Sequence, residues 1–195
     1  FEPGASAFAV LRRHGEAWPT TVTLVNAAVS DAPGEVRFSG SAASQNGHID
    51  FSASPAAGAG DTVHVTTVDD FLRAQRVARV HFLKIDTEGF EKLVLMGALG
   101  YLRQRRVRVL QFEYGLNWFA KYASTATARA TLEEVVRNLE GLGYETFYAT
   151  PHALLRLGSP WDPAFELPRG LSLNTNVIAL DSAWAGARRL IDLWH

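Results

Sequence analysis

The 195-residue chain contains no cysteine. That excludes disulfides and thiolate metal sites, although it does not fix the compartment. An excess of either charge is also missing: 19 lysines and arginines stand against 20 aspartates and glutamates, for a formal net charge of −1. No electrostatic argument for nucleic acid or an anionic membrane surface follows. No apolar run reaches the ~18 residues of a membrane span, and no basic stretch followed by an apolar one opens the chain as in a signal peptide. The expectation is a cytoplasmic protein without nucleic-acid or membrane partners. The six histidines (His14, His48, His64, His81, His152, His195) show no metal spacing such as H-x-x-x-H. What is present is ordinary for a globular protein: 47% hydrophobic and 20% charged residues, at a length that supports one domain with a core.

Strand-like and helix-like segments alternate. Phe1-Glu2-Pro3 reads as the end of a strand followed by a turn, so the sequence is expected to begin inside a domain. Residues 5–14 have a weak helical pattern, and VTLVNAAV (22–29) reads as a buried strand opening into the turn SDAPG (30–34). A short strand at 35–38 precedes a Ser-, Ala- and Gly-rich stretch at 39–61 that reads as a long loop. A strand at 62–66 leads into Thr67-Val68-Asp69-Asp70, which has the form of a capping box and starts a helix. Strands are expected at 80–86 and 107–113, with a helix at 88–105 between them. An amphipathic helix follows at 128–142, ended by Gly143. Strands at 144–149 and 176–180 read as an antiparallel pair at the sheet edge, and a last helix covers 182–194. The alternation predicts an α/β fold with a mostly parallel sheet whose apolar strands are covered on both faces. No repeat or linker divides the chain, so residues 1–195 are read as a single domain.

In such a sheet, ligands bind at the carboxyl ends of the strands. The informative stretch is FLKIDTEGFE (82–91), an apolar strand that carries Lys84 and ends in Asp86, Glu88 and Glu91. Lys84 and Asp86 share a strand face. A buried lysine needs a partner, and Glu113 at the end of the next strand is the natural candidate. Glu88 and Glu91 have a competing structural explanation, since acids before a helix stabilise its N-terminus. Glu2 and Asn26 place further polar groups at strand ends.

These residues carry a resemblance. Phe1-Glu2-Pro3, NAAVSD (26–31) with Gly34, TTVDDFL (66–72), FLKIDTEGFEKLVLMGA (82–98) and LQFEYG (110–115) together resemble the FkbM family of S-adenosylmethionine-dependent methyltransferases. The resemblance covers roughly residues 1–150 and the final strand near Asn176, with LKID-EG-E its most specific part. It implies a Rossmann-like methyltransferase sheet with an antiparallel last strand. It implies that Glu2 binds the ribose hydroxyls of the cofactor, that Asn26 and Ala27 lie near its adenine, and that Asp86 lies near its methionine part and the acceptor. Glu88, Glu113 and Tyr114 would line the same cleft as acceptor-binding groups. The family's glycine-rich cofactor loop has no counterpart; GAG at 58–60 precedes a strand and opens no helix. The first central strand and that loop are therefore expected to be missing from residues 1–195, leaving a gap beside the strand at 80–86 and a polypeptide that binds the cofactor weakly and is inactive by itself.

Methyl transfer to a hydroxyl requires an oriented acceptor and a base or metal for its proton. Asp86 is the candidate for either role. Asp86 and Glu113 could share a divalent ion, but two carboxylates are a thin basis for a metal site and none is assigned. His152 is a weaker candidate base. Tyr114, Trp118, Phe119 and Tyr122 either wall the acceptor pocket or pack a helix on the sheet. The expected function is O-methylation of a small-molecule or sugar hydroxyl, the partner being a small-molecule or glycan acceptor. The alternatives are a nicotinamide-dependent oxidoreductase on a similar sheet and a non-catalytic binding remnant of a methyltransferase domain.

Overall fold

The computed structural model describes residues 1–15, 17–18, 21–39, 48–50, 61–122, 124–150, 152–162 and 174–193. The elements run in the order α1 (Ala5–Gly15), β1 (Ala28–Val29), β2 (Gly34–Ser39), β3 (His48–Asp50), β4 (Asp61–Thr66), α2 (Val68–Ala74), β5 (Val80–Ile85), α3 (Glu91–Met96), α4 (Leu99–Arg103), β6 (Val107–Gly115), α5 (Leu116–Lys121), α6 (Thr125–Gly141), β7 (Tyr144–Ala149), β8 (Leu154–Leu157), β9 (Asn174–Asp181) and α7 (Ala185–Asp192). Among the described residues two sheets form, a four-stranded one in the order β1-β4-β2-β3 and a five-stranded one in the order β5-β6-β9-β7-β8.

The α/β class holds, but the sheets are mixed rather than mostly parallel. β5 and β6 pair in parallel, while β9 pairs antiparallel with β6 on one side and β7 on the other. β9 is thus inserted between two strands of common direction, and one reversed strand creates two antiparallel ladders. It does not lie at the edge, where β8 pairs with β7 instead. β8 and β3 are short strands in stretches the sequence reads as irregular. Most of the 39–61 loop, GAG at 58–60 included, lies outside the described residues. The predicted strand at 22–29 shrinks to Ala28–Val29, because only these two residues pair with β4. β5 is an edge strand of its sheet among the described residues.

Local signals explain the helices. The Thr67 hydroxyl accepts the Asp70 N–H at 3.0 Å and opens α2. Asp69, on the first turn of α2, reaches across to α4, where its carboxylate accepts the N–H groups of Gly100 (2.7 Å) and Tyr101 (3.0 Å). The predicted helix at 88–105 is two, broken at Gly97. A β-carbon there would lie 2.1 Å from the Ser30 carbonyl oxygen, so only glycine lets the chain after β1 approach this closely. Gly143, at φ 88°, turns the chain out of α6.

The main core lies on one face of the five-stranded sheet. Leu110, Phe112 and Tyr114 of β6, with Tyr148, Val177 and Ala179, pack against Leu95, Leu102, Trp118, Leu132 and Val136 from the helices. The opposite face is covered in part by α7, whose Ala187 packs on Phe147 and Leu180. Toward β5 that face is open, and Phe82 is 54% exposed.

Candidate active site

Register builds the site. Ile85 of β5 pairs with Phe112 of β6, so the next residues stand side by side: Asp86 just past the end of β5, and Glu113 inside β6, which runs on to Gly115 instead of ending at 113 as expected. Glu113 pairs in turn with Asn176 of β9, and Asn176 with Ala149 of β7. A row of Asp86, Glu113 and Asn176 therefore runs along one sheet end. Asn176 accepts a hydrogen bond from the Gln111 amide at 2.8 Å, which fixes its own amide orientation.

Period-two alternation puts Phe82, Lys84 and Asp86 on the face shared with Val109, Gln111 and Glu113. Lys84 could reach either acid, and it takes the nearer: Lys84 Nζ lies 2.8 Å from Asp86 Oδ2. This corrects the expected Lys84–Glu113 pair. Lys84 is also not buried, since its side chain is 52% exposed and that of Asp86 43%. The open side of β5 leaves both in solvent, so the pair orients Asp86 more than it stabilises the fold. The hydrogen bond to Asp86, followed by its charge, raises the Lys84 pKa, whereas Glu113 contributes least of the groups acting on it.

Glu113 is half-buried, and burial, followed by the charges of Asp86, Glu88 and Glu91, raises its carboxyl pKa against a lowering by Lys84. Glu88 is pushed up in the same way, by burial and then by Asp86 and Glu91. The acids therefore share one electrostatic neighbourhood. Glu88 stands at φ 57° and Gly89 at φ 99°, two successive left-handed residues that fold the β5–α3 connection into a tight turn. The Asn117 amide donates to the Glu88 carboxylate. The same turn packs on α5 so closely that a β-carbon on Gly89 would lie 2.8 Å from the Asn117 carbonyl oxygen.

Glu2 and Asn26 meet at the start of the chain. Glu2 Oε1 accepts the Gly4 N–H at 2.7 Å, just before α1. The Asn26 amide donates to the backbone oxygens of Glu2 (2.8 Å) and Pro3 (3.2 Å). Ala27 is buried beneath them. A groove of about 320 Å³ separates this region from β5, with Phe1, Val29 and Leu72 on one side and Leu83, Ile85 and Asp86 on the other. Phe1, the neighbour of Glu2, and Asp86 thus line one apolar groove, whereas Glu2, Asn26 and Ala27 are not among its lining residues.

Two candidates move. Tyr114 is 1% exposed and its ring packs edge-on against Trp118 and Phe119, so it belongs to the core and not to the cleft. It alternates with Glu113, and only one of the two can face the open side. Trp118 is equally buried, which settles the helix-packing alternative for that residue. His152 is exposed beyond the end of β7. Asn117 is a polar group that sequence reasoning passes over, and Asn176 is met there only as part of the final strand. The place of Asn176 in the site becomes visible through the β6–β9 register, and that of Asn117 through the packing of α5 on the turn. Among the described residues, no group of three or more His, Asp or Glu is placed to hold a metal ion, and no helix is long and apolar enough to cross a membrane.

Comparison with known proteins adds one match. A family model described as Methyltransferase FkbM domain matches residues 14–146, from the last two residues of α1 through the first half of β7. No curated protein and no solved structure matches the chain.

Proposed function

The chain belongs to the FkbM methyltransferase domain family, and from that premise we propose that it serves S-adenosylmethionine-dependent O-methylation of a small-molecule or sugar hydroxyl. The observation that carries this reading is the placement of Asp86 and Glu113 side by side, at the carboxyl end of β5 and near that of β6. Acceptor groups in a row suit a ligand rich in hydroxyl donors. With Glu88 and Glu91 close by, the row also disfavours an anionic acceptor.

The polar groups at the start of the chain suit the cofactor. Glu2 has spent one carboxylate oxygen on Gly4, and its other oxygen can accept from a ribose diol. Asn26, locked to the Glu2 and Pro3 backbone, and the small buried Ala27 would border the adenine. When bound, S-adenosylmethionine supplies an electrophilic methyl group on a sulfonium. The chain's own part is to orient the acceptor hydroxyl and to receive its proton at the Asp86 carboxylate, which Lys84 holds in place. Glu88 and Glu113 would hold neighbouring hydroxyls of the acceptor.

The free side of β5 and the groove beside it support the reading that a further central strand, outside the described residues, completes a Rossmann-like sheet in the full domain. Replacing Asp86 by Ala in the intact protein should abolish methyl transfer while circular dichroism and the unfolding midpoint stay near wild type, since Asp86 is half-exposed. Unchanged turnover would remove Asp86 from the mechanism.

A further inference from the structure

The helix-starting explanation of Glu91 does not describe what its side chain does. Acids that merely complement a helix dipole sit at the surface of the first turn, whereas Glu91 has no exposed surface at all. Its Oε1 accepts the N–H of Thr87 at 2.8 Å and the N–H of Gly89 at 3.3 Å. Both donors belong to the turn that precedes Glu91, so the side chain folds back over its own connection. Between the two donors stands Glu88, a residue with a β-carbon held at φ 57°. A non-glycine residue in that region is costly unless its surroundings hold it there. On the other side, the turn is braced by α5 through the Gly89–Asn117 contact.

Isolation makes the arrangement costly as well. Glu91 Oε2 and Thr87 Oγ1 are buried, and neither has a hydrogen-bond partner among the described residues. A buried carboxylate with one unused oxygen costs stability. Glutamine or an apolar residue would be the less demanding choice for packing alone. The two N–H groups that Glu91 does engage are those flanking Glu88, and the first of them, on Thr87, directly follows Asp86.

We propose that Glu91 is a positioning residue: its buried carboxylate clamps the Thr87 and Gly89 amides and thereby fixes the turn on which Asp86 and Glu88 are presented to the acceptor. The assignment of an acceptor to this turn rests on the methyltransferase reading, whereas the clamp itself can be read without activity. The turn's geometry then depends on a contact made beneath it, so Glu91 acts on acceptor placement without touching the acceptor.

The test compares wild type, Glu91→Gln and Glu91→Ala in the intact protein, by amide hydrogen exchange and by methyl-transfer kinetics with S-adenosylmethionine. In Glu91→Ala, exchange at Thr87 and Gly89 should rise roughly tenfold or more, while amides of β6 and β9 keep their protection. Glu91→Gln retains an acceptor oxygen for the two amides and should restore most of that protection. Where transfer is measured, kcat should fall by about a hundredfold in Glu91→Ala, with a smaller change in KM for the cofactor and partial rescue in Glu91→Gln. Unchanged exchange at Thr87 and Gly89 in Glu91→Ala would overturn the clamp. A uniform rise across β6 and β9 would also overturn it, by making Glu91 a general stability residue. If wild type transfers no methyl group, the functional reading fails, and the exchange pattern still decides the clamp.

Discussion

Lys84, Asp86 and Glu113 show how far one residue's neighbours decide its role. All three share a sheet face, and the sequence pattern makes that legible through period-two alternation. What alternation leaves open is which acid the lysine takes, since a same-strand neighbour two residues on and a cross-strand neighbour are both within reach. The outcome, Lys84 on Asp86, leaves Glu113 among like charges in a half-buried position with its pKa raised. A carboxyl whose folded-state pKa is raised holds its proton more tightly folded than unfolded. Its contribution favours folding below the ordinary carboxylate range and is lost as pH rises through the raised value. Glu113→Gln should therefore match wild-type stability in acid and exceed it at neutral pH by about 0.5 kcal/mol, the scale of a half-exposed charge interaction. Urea unfolding at the two pH values checks this, and a variant less stable than wild type at neutral pH would show that Glu113 has a stabilising partner. Methyl transfer should fall in the same variant, so stability and activity move in opposite directions.

At the scale of elements, several local signals are legible in the chain, although the Ser124 cap, which opens α6 at Thr125 and not at 128 as expected, is not among them. The Thr67 cap and the Gly143 stop are written in adjacent residues, and both ends stand where the pattern puts them. Long-range causes were not readable. The break between α3 and α4 depends on Gly97 meeting the Ser30 carbonyl, a residue far off in sequence. The short strands β3 and β8 exist only as ladders on β2 and β7, with too few residues to show a period. The proposed acceptor site rests on the β5–α3 turn. Gly89→Ala would place a β-carbon 2.8 Å from the Asn117 oxygen at φ 99°, at a cost of about 1–3 kcal/mol. A lowered unfolding midpoint and a parallel loss of transfer are expected. Wild-type stability in this variant would mean that α5 yields easily and does not brace the turn.

For the molecule as a whole, the α/β class follows from alternation, whereas the order of strands comes from pairing that no single segment encodes. β9 enters between β6 and β7 and carries Asn176 to the row of acids, which ties the far end of the chain to the site. The apolar groove beside β5 is the largest consequence of this architecture. If a further strand pairs with the free side of β5, as proposed, residues 1–195 on their own should bind S-adenosylhomocysteine more weakly than about 1 μM. Calorimetry giving micromolar or tighter binding would contradict that. The central claim is methyl transfer to a hydroxyl, and it is tested most directly by incubating the intact protein with S-adenosylmethionine labelled in its methyl group and a panel of polyhydroxylated acceptors. The account predicts label in a methyl ether of a neutral acceptor, lost in Asp86→Asn; no label in any acceptor with wild type, or equal labelling by Asp86→Asn, would contradict it.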